Sequence, residues 1–109
     1  MKNKHQDPRI VVAYFKANGL PEPEAEVMLI PGRRYRWDWI LRNEKIGIEI
    51  QGGLWSGGAH GRGWGIKRDM EKSNLAASLG WFTLSFEPKS FLTVESMDLI
   101  RRAIESRKL

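Results

Sequence analysis

Residues 36–51 have the sequence RWDWILRNEKIGIEIQ, and this stretch decides the fold of the chain. Apolar side chains alternate with other residues along both halves of it. They are Trp37, Trp39, Leu41, Ile46, Ile48 and Ile50. This period-two pattern predicts two half-buried strands, and Asn43-Glu44 between them fits a two-residue turn. The sequence therefore predicts a β-hairpin with one face apolar throughout.

A two-residue turn fixes which residues face each other across this hairpin. Trp39 then faces Ile48 on the apolar face, while Asp38 faces Glu49 on the opposite one. Facing β-carbons lie roughly 4.5–5.5 Å apart, and like charges placed there destabilise the strand pair. Mg²⁺ commonly binds through one or two carboxylates together with water and phosphate oxygens. The hairpin alone leaves two interpretations open, a divalent-metal site and an ordinary solvated polar face.

Length and composition limit the class of protein. With 109 residues the chain has room for one domain, residues 1–109, and for a modest core. The absence of cysteine excludes a disulfide framework and a thiolate zinc site, and it fits a reducing compartment. No apolar run approaches the length of about 18 residues that predicts a membrane span, and the N-terminus lacks the apolar core of a signal peptide. We expect a soluble cytoplasmic protein with no membrane partner.

The charge of the chain favours a polyanionic partner. Lys and Arg number 18 against 13 Asp and Glu, which gives a net charge of +5. The basic residues form three clusters along the sequence: Arg33, Arg34 and Arg36; Arg62, Lys67 and Arg68; and Arg101, Arg102, Arg107 and Lys108. Each cluster alone also fits a solvated face, but the first two border the proposed carboxylate site. Their placement favours nucleic acid as the partner.

The remaining elements follow from caps, turns and periodicity. Asp7 before Pro8 is a typical helix start, and Gly19 is a typical stop. The predicted elements are a helix at 8–18, a strand at 26–30, a helix from 66 to 79, a strand at 81–86 and a helix at 93–107. The apolar side of the middle helix is expected to consist of Ile66, Met70, Leu75, Ala77 and Leu79, and Gly80 is expected to end the helix. A strand that follows a helical crossover usually lies parallel to its predecessor, so the predicted sheet is mixed.

Two further acidic features leave alternatives open. Glu22, Glu24 and Glu26 recur at period two, and any of them could point toward Asp38. Asp69 and Lys72 are three residues apart on the middle helix, where a surface ion pair is a sufficient explanation.

Glycine is concentrated between the hairpin and the middle helix. The segment 52–65 holds seven of the 11 glycines together with Trp55, His60 and Trp64. It is not a phosphate loop, because no Gly-Lys-Ser/Thr follows. Its tryptophans could stack on bases or simply cover the edge of the sheet.

This arrangement resembles the PD-(D/E)xK nuclease superfamily. The resemblance rests on the element order, Asp38 in the second strand and Glu49-Ile50-Gln51 in the third. The run from Gly52 to Gly58 and the stretch from Asp69 to Asn74 resemble more closely the small phage and prophage nucleases of that superfamily. The similarity covers about residues 20–88. It implies a restriction-endonuclease-like mixed four-stranded sheet flanked by helices in the order α-β-β-β-α-β-α.

The resemblance also implies a function and a set of roles. The expected activity is that of a DNA endonuclease dependent on Mg²⁺ or Mn²⁺, in a bacterial host or a phage-infected cell. Asp38 and Glu49 would bind the metal, and Glu26 would support the site. Branched or recombination DNA is an attractive substrate, and cutting both strands would favour a homodimer. A non-catalytic nucleic-acid-binding module that keeps the nuclease fold is the alternative.

One departure from the family pattern concerns the motif lysine. Gln51 stands at its position and cannot carry a positive charge, although its amide oxygen can contact a metal or a water molecule. Lys72 is similar to a lysine relocated to the neighbouring helix, and His60 is the other candidate for handling a proton or a phosphate. The DNA contacts are expected from the first two basic clusters, namely Arg33, Arg34, Arg36, Arg62, Lys67 and Arg68, and from Trp55 and Trp64.

Overall fold

The structure is a computed structural model that describes residues 7–51 and 62–108, with side chains described from residue 65 onward in the second range. Eight elements follow one another along these ranges. They are α1 (Pro8–Ala17), β1 (Glu24–Met28), β2 (Arg36–Leu41), β3 (Ile46–Ile50), α2 (Arg62–Ser78), β4 (Phe82–Phe86), α3 (Pro88–Phe91) and α4 (Val94–Arg107). None of the helices in these ranges combines the length and apolar character needed to cross a bilayer.

The strands form one mixed sheet in the order β1-β2-β3-β4. β2 is antiparallel to both β1 and β3, and β4 is parallel to β3 across the α2 crossover. The predicted α/β class and the mixed four-stranded sheet are confirmed. The short helix α3 was not predicted; it begins at Pro88, where the fixed φ of proline suits the first helical turn.

Helices cover both faces of the sheet. One face carries the larger apolar core, in which β2, β3 and β4 pack against α1, α3 and α4; Phe15, Ile48 and Ile100 are examples of its fully buried side chains. The opposite face carries a smaller core in which Trp37 and Ile40 pack with Ala76 of α2. The molecule is therefore a three-layer sandwich, and α2 lies alone on its own side among the described elements.

Several predicted boundaries agree with the structure and others shift. The carboxylate of Asp7 accepts a hydrogen bond from the Arg9 N–H at 2.9 Å, and Gly19 has φ 71°, so both ends of α1 form as predicted. β1 begins two residues before the predicted strand at 26–30, and α2 begins four residues before the predicted helix. The apolar side predicted for α2 is wrong for most of its residues, although Leu75 does pack against the smaller core. Ile66 and Met70 are 56% and 55% exposed, because the helix approaches the sheet through the small residue Ala76.

The central hairpin has the predicted register. Trp39 pairs with Ile48, and Leu41 pairs with Ile46. The turn is wider than predicted, since it spans Arg42–Lys45, and Lys45 has φ 57°.

Trp37 lies on the face opposite to the predicted one. Trp39 packs in the larger core, whereas Trp37 packs in the smaller core on the α2 side. The regular alternation is therefore lost between the two residues. The neighbouring strand is irregular at the same level, where Glu26 has φ 53°. A left-handed residue inside a strand re-aims the side chains that follow it, and Val27 and its partner Trp37 both pack on the α2 side.

Candidate active site

Polar and acidic residues form a row across the sheet where β3 and β4 end. Glu26 and Asp38 lie opposite each other between two neighbouring pairs of the β1–β2 ladder. Glu49 comes one residue after the last β2–β3 pair, at the level of Asp38, and it pairs with Ser85 of β4. Three acidic residues from three adjacent strands therefore lie at one level of the sheet, and we call them the acidic row: Glu26, Asp38 and Glu49.

The side chain of Asp38 accepts a backbone hydrogen bond just beyond the end of the β2–β3 ladder. Its Oδ2 atom accepts the backbone N–H of Ile50 at 2.6 Å, two residues beyond the last pair of β2 and β3. A carboxylate has about four acceptor positions on its two oxygens, so this bond fixes Asp38 and leaves capacity for another ligand. The Asp38 side chain is thus held beside β3, next to Glu49, and does not point freely into solvent.

Glu49 forms an ion pair with Lys72 of α2. The two side chains are only 16% and 15% exposed, so this contact is largely shielded from water. Lys72 also donates to the backbone carbonyl of Arg36 at 2.6 Å. The alternative surface pair with Asp69 is not the arrangement seen, because the ammonium reaches across to the sheet instead.

The environment of Glu49 opposes its negative charge. Burial raises the pKa of its carboxyl above the ordinary value, and the nearby charges of Asp38 and Asp69 raise that pKa further. The hydrogen bond and charge of Lys72 act in the opposite direction and only partly compensate. Asp69 is thus close enough to act on the site, a role that the sequence interpretation missed.

The chemistry of these side chains fits a hard divalent cation. Within residues 7–51 and 62–108, no group of three or more His, Asp or Glu side chains is arranged to hold a metal ion. Asp38 and Glu49 nevertheless supply the one or two carboxylates through which Mg²⁺ usually binds when water and phosphate complete its shell. The burial of Glu49, which Lys72 only partly compensates, is a further reason for a cation to bind here.

The contacts of the three N-terminal glutamates show which of them lies near Asp38. Glu24 makes a bidentate contact with Arg42, with both distances 2.9 Å, near the turn of the hairpin. Glu22 is exposed and precedes β1. Glu26 is the one that belongs to the acidic row, where it lies 3.6 Å from the guanidinium of Arg36.

Gln51 lies just beyond the acidic row. Its backbone N–H donates to the Phe86 carbonyl at 2.8 Å, which extends the parallel β3–β4 ladder by one bond. Its side chain is half-buried.

Trp37 lies beneath Lys72 and is 1% exposed. The Lys72 ammonium is 4.4 Å from the centre of a Trp37 ring, and the indole Nε1–H donates to Thr83 Oγ1 at 3.2 Å. The ring occupies the space above Gly47, where a β-carbon would come within 2.6 Å of its Cδ1 atom. A glycine inside a strand often marks such a close approach, so Gly47 was the available sequence signal for this packing.

Two basic clusters that are distant in sequence meet beside the acidic row. Arg33 lies 3.4 Å from the carboxylate of Glu71 on α2, and the Tyr35 hydroxyl donates to the same carboxylate. These two contacts lower the pKa of Glu71, whereas the Glu71 carboxylate raises the pKa of Tyr35; the positive charge of Arg68 acts on Tyr35 in the opposite direction. We call the exposed residues of this region the basic surface: Arg33, Arg34, Arg36, Lys67 and Arg68. Tyr35 and Glu71, which link its two halves, were not singled out from the sequence.

The C-terminal basic cluster is partly used for internal contacts. Arg107 donates to the carbonyl of Glu44 at 3.2 Å and to that of Gly80, and its guanidinium lies 4.2 Å from the ring centre of Phe82. Arg101 bonds to the Asn18 carbonyl at 2.8 Å. This cluster also lies on α4, on the side of the sheet opposite α2.

The structure therefore brings together Asp38, Glu49 and Lys72, with Glu26 in the same row. Trp55 and His60 lie outside the described residues, and so do the side chains of Arg62 and Trp64. Comparison of the chain with protein-family models, with curated proteins and with solved structures gives no match.

Proposed function

We propose that this protein is a divalent-metal-dependent DNA endonuclease of the PD-(D/E)xK type, with a restriction-endonuclease-like sheet. The observation that carries the proposal is the contact of Lys72 with Glu49 beside Asp38. Two carboxylates that can hold a metal ion, together with a positive charge, can promote hydrolysis of a phosphodiester, and here they come from β2, β3 and α2. The proposed reaction adds water to the phosphorus and releases one of the two ester oxygens.

Asp38 and Glu49 would hold Mg²⁺ or Mn²⁺ in this proposal. A divalent cation, when bound, lowers the pKa of a water molecule and shields the charge of the phosphate. Asp38 is held in place by the Ile50 N–H, and Glu49 is held by Lys72, so neither carboxylate needs to be ordered by the ligand. Glu26 would support the site from β1, and Gln51 would offer its amide oxygen at the end of β3.

Lys72 would supply the positive charge that Gln51 cannot. An ammonium has three N–H donors, and the contacts with Glu49 and with the Arg36 carbonyl account for two of them. The third can donate to a phosphate oxygen or to the attacking water, where charge develops in the transition state. His60 remains the second candidate for proton transfer.

The basic surface would bind the DNA backbone. It lies on the same side of the sheet as α2 and joins the acidic row through Arg36, whose guanidinium is near Glu26 and whose carbonyl accepts Lys72. Phosphate contacts from Arg and Lys position a duplex without reading its sequence. Arg62, Trp55 and Trp64 would add contacts that favour distorted or branched DNA, and two copies of the chain would be needed to cut both strands.

The test is cleavage of a panel of linear, nicked, flap and four-way DNA in Mg²⁺, Mn²⁺ or EDTA. We expect cleavage with either metal and none in EDTA. Asp38→Asn and Glu49→Gln should abolish it, while Glu95→Gln, an exposed carboxylate on α4, serves as the matched control and should cut at the parent rate. Unimpaired turnover in Asp38→Asn or Glu49→Gln with metal present would exclude the assigned ligands.

A non-catalytic nucleic-acid-binding module is the second candidate. It is favoured by the fact that Lys72 already neutralises part of the charge of Glu49, and that within the described ranges no third carboxylate or histidine completes a metal-binding group. This candidate predicts that DNA binds through the basic surface without needing Mg²⁺, and that no member of the panel is cut.

A further inference from the structure

Trp37 is a buried residue beside Lys72, and the proposed function gives it no role. It is 1% exposed, and its side chain has crossed to the α2 side of the sheet, away from the core that holds Trp39. In this orientation the ring lies under the Lys72 ammonium, which is 4.4 Å from the ring centre. A cation within about 6 Å of the face of a tryptophan ring is attracted by the negative potential of that face.

The ring itself is fixed from two sides. Thr83 on β4 accepts the indole N–H at 3.2 Å, which sets the rotation of the ring. Gly47 on β3 provides the space below it, because any β-carbon there would come within 2.6 Å of Cδ1 and 2.9 Å of Nε1. Residues of β3 and β4 thus fix the position and the rotation of the Trp37 ring that contacts Lys72.

Lys72 needs such a surface because its side chain is long and flexible. A lysine ammonium sits at the end of a four-carbon stem, and one ion pair does not fix its position. The Trp37 ring, the Glu49 carboxylate and the Arg36 carbonyl together restrict it from three directions. The first of these restraints is an electrostatic attraction to the face of a ring, so it needs no carbonyl or carboxylate oxygen as acceptor.

We infer that Trp37 is a positioning residue of the proposed nuclease, whose ring, fixed by Gly47 and Thr83, holds the Lys72 ammonium at Glu49. This inference rests on the proposed function for its effect on catalysis. The placement of the ammonium by the ring is a property of the folded protein alone.

The experiment combines NMR of the unliganded protein with DNA cleavage. The first readout is the chemical shift of the Lys72 ε-methylene protons, which a ring directly below them moves upfield. We expect an upfield shift in the parent, a smaller one in Trp37→Phe and the ordinary value in Trp37→Leu. Thr83→Val keeps the volume but removes the acceptor for the indole, and it should reduce the shift without unfolding the protein.

The second readout is the single-turnover cleavage rate. Trp37→Leu should slow cleavage by about tenfold to a hundredfold, the scale of misplacing a catalytic group by about 1 Å. Trp37→Phe should restore most of the rate. The double variant Trp37→Leu/Lys72→Met should cut no more slowly than Lys72→Met, because the ring acts through the ammonium.

Trp39→Leu is the matched control for loss of a buried indole. Trp39 is 2% exposed and belongs to the core on the other face, so this variant should lose stability but keep the Lys72 shift and the rate per folded molecule. An ordinary Lys72 shift in the parent would overturn the inference, and so would effects of Trp37→Leu and Lys72→Met that multiply. If no DNA is cut by the parent while the ring shift is present, the proposed function fails and the positioning of Lys72 by Trp37 stands.

Discussion

Lys72→Met should destabilise the protein, and it should do so more strongly at pH 8 than at pH 4. The substitution removes the ammonium but keeps most of the stem that packs over Trp37. Glu49 then remains, 16% exposed, next to the charges of Asp38 and Asp69 without its counter-charge. Its pKa, which burial already raises, must rise further.

The size of the effect follows from the burial of the pair. Exposed ion pairs contribute about 0.2–1 kcal/mol, and removing one partner of a fully buried pair costs about 3–5 kcal/mol. With both side chains about 15% exposed, we expect a loss between these limits, roughly 1.5–3 kcal/mol at pH 8. The expected loss of stability is well above that for replacing an ordinary surface lysine.

The pH dependence has a definite sign. A carboxyl group whose pKa is higher in the folded than in the unfolded state binds more protons when folded, so stability falls as the pH rises between the two values. In Lys72→Met that interval widens, because the folded value of Glu49 rises while the unfolded value stays near 4.3. The stability difference from the parent should therefore shrink as the pH falls toward about 4, where Glu49 is largely neutral.

Urea unfolding followed by tryptophan fluorescence measures this at both pH values. Lys67→Met is the matched control, since Lys67 is an exposed lysine on the same helix, and its effect should stay within about 0.5 kcal/mol. Equal losses at pH 8 and pH 4, or a loss no larger than that of Lys67→Met, would refute the role assigned to Lys72.

Three further predictions address the acidic row, the basic surface and Gly47. Asp38→Asn should stay folded while losing cleavage, because the amide oxygen can still accept the Ile50 N–H and the charge facing Glu49 is gone; thermal unfolding by circular dichroism and a cleavage assay check both parts. Arg33→Ala with Arg34→Ala should reduce the salt dependence of DNA binding by up to about 1.8 in the slope of log K against log salt, about 0.9 for each phosphate that is no longer neutralised. Arg102→Ala on α4, an exposed arginine on the other side of the sheet, should leave that slope unchanged, and a reversed result would move the DNA to the C-terminal cluster. Gly47→Ala should destabilise the protein by about 1–3 kcal/mol, because its β-carbon would overlap the Trp37 ring. The same substitution in a Trp37→Leu background should cost much less, and equal costs in the two backgrounds would show that the ring is not the obstacle.

Local patterns predicted the parts of this fold that depend on local physics. The register of the hairpin follows from the alternation that puts Leu41 opposite Ile46, and the start of α1 follows from the ability of Asp7 to bond the first free N–H. The parallel pairing of β4 with β3 follows from the helical crossover between them. The register of the hairpin also allowed Asp38 and Glu49 to be placed at one level of the sheet from the sequence.

The features that the sequence did not predict depend on contacts between helices and strands. The residues next to Glu26 in the sequence do not predict its left-handed backbone, and the alternation alone wrongly places Trp37 in the larger core. The partner of Lys72 could not be chosen from spacing, because the distance to Glu49 depends on how α2 lies on the sheet. A lysine three residues from an aspartate satisfies the local pattern equally well.

The contacts of Arg107 have a consequence for which substitutions this protein can accept. Its guanidinium ties the β2–β3 turn at Glu44 to the α2–β4 turn at Gly80, at the end of the sheet where β3 begins. Glu49 lies three residues further along that strand, roughly 10 Å away at about 3.3 Å per residue. Substitutions separated by about 7–10 Å usually act additively on stability. Stabilising substitutions around the Arg107 contacts should therefore add to the effects of charge changes in the acidic row, and they can compensate for the stability that such changes cost.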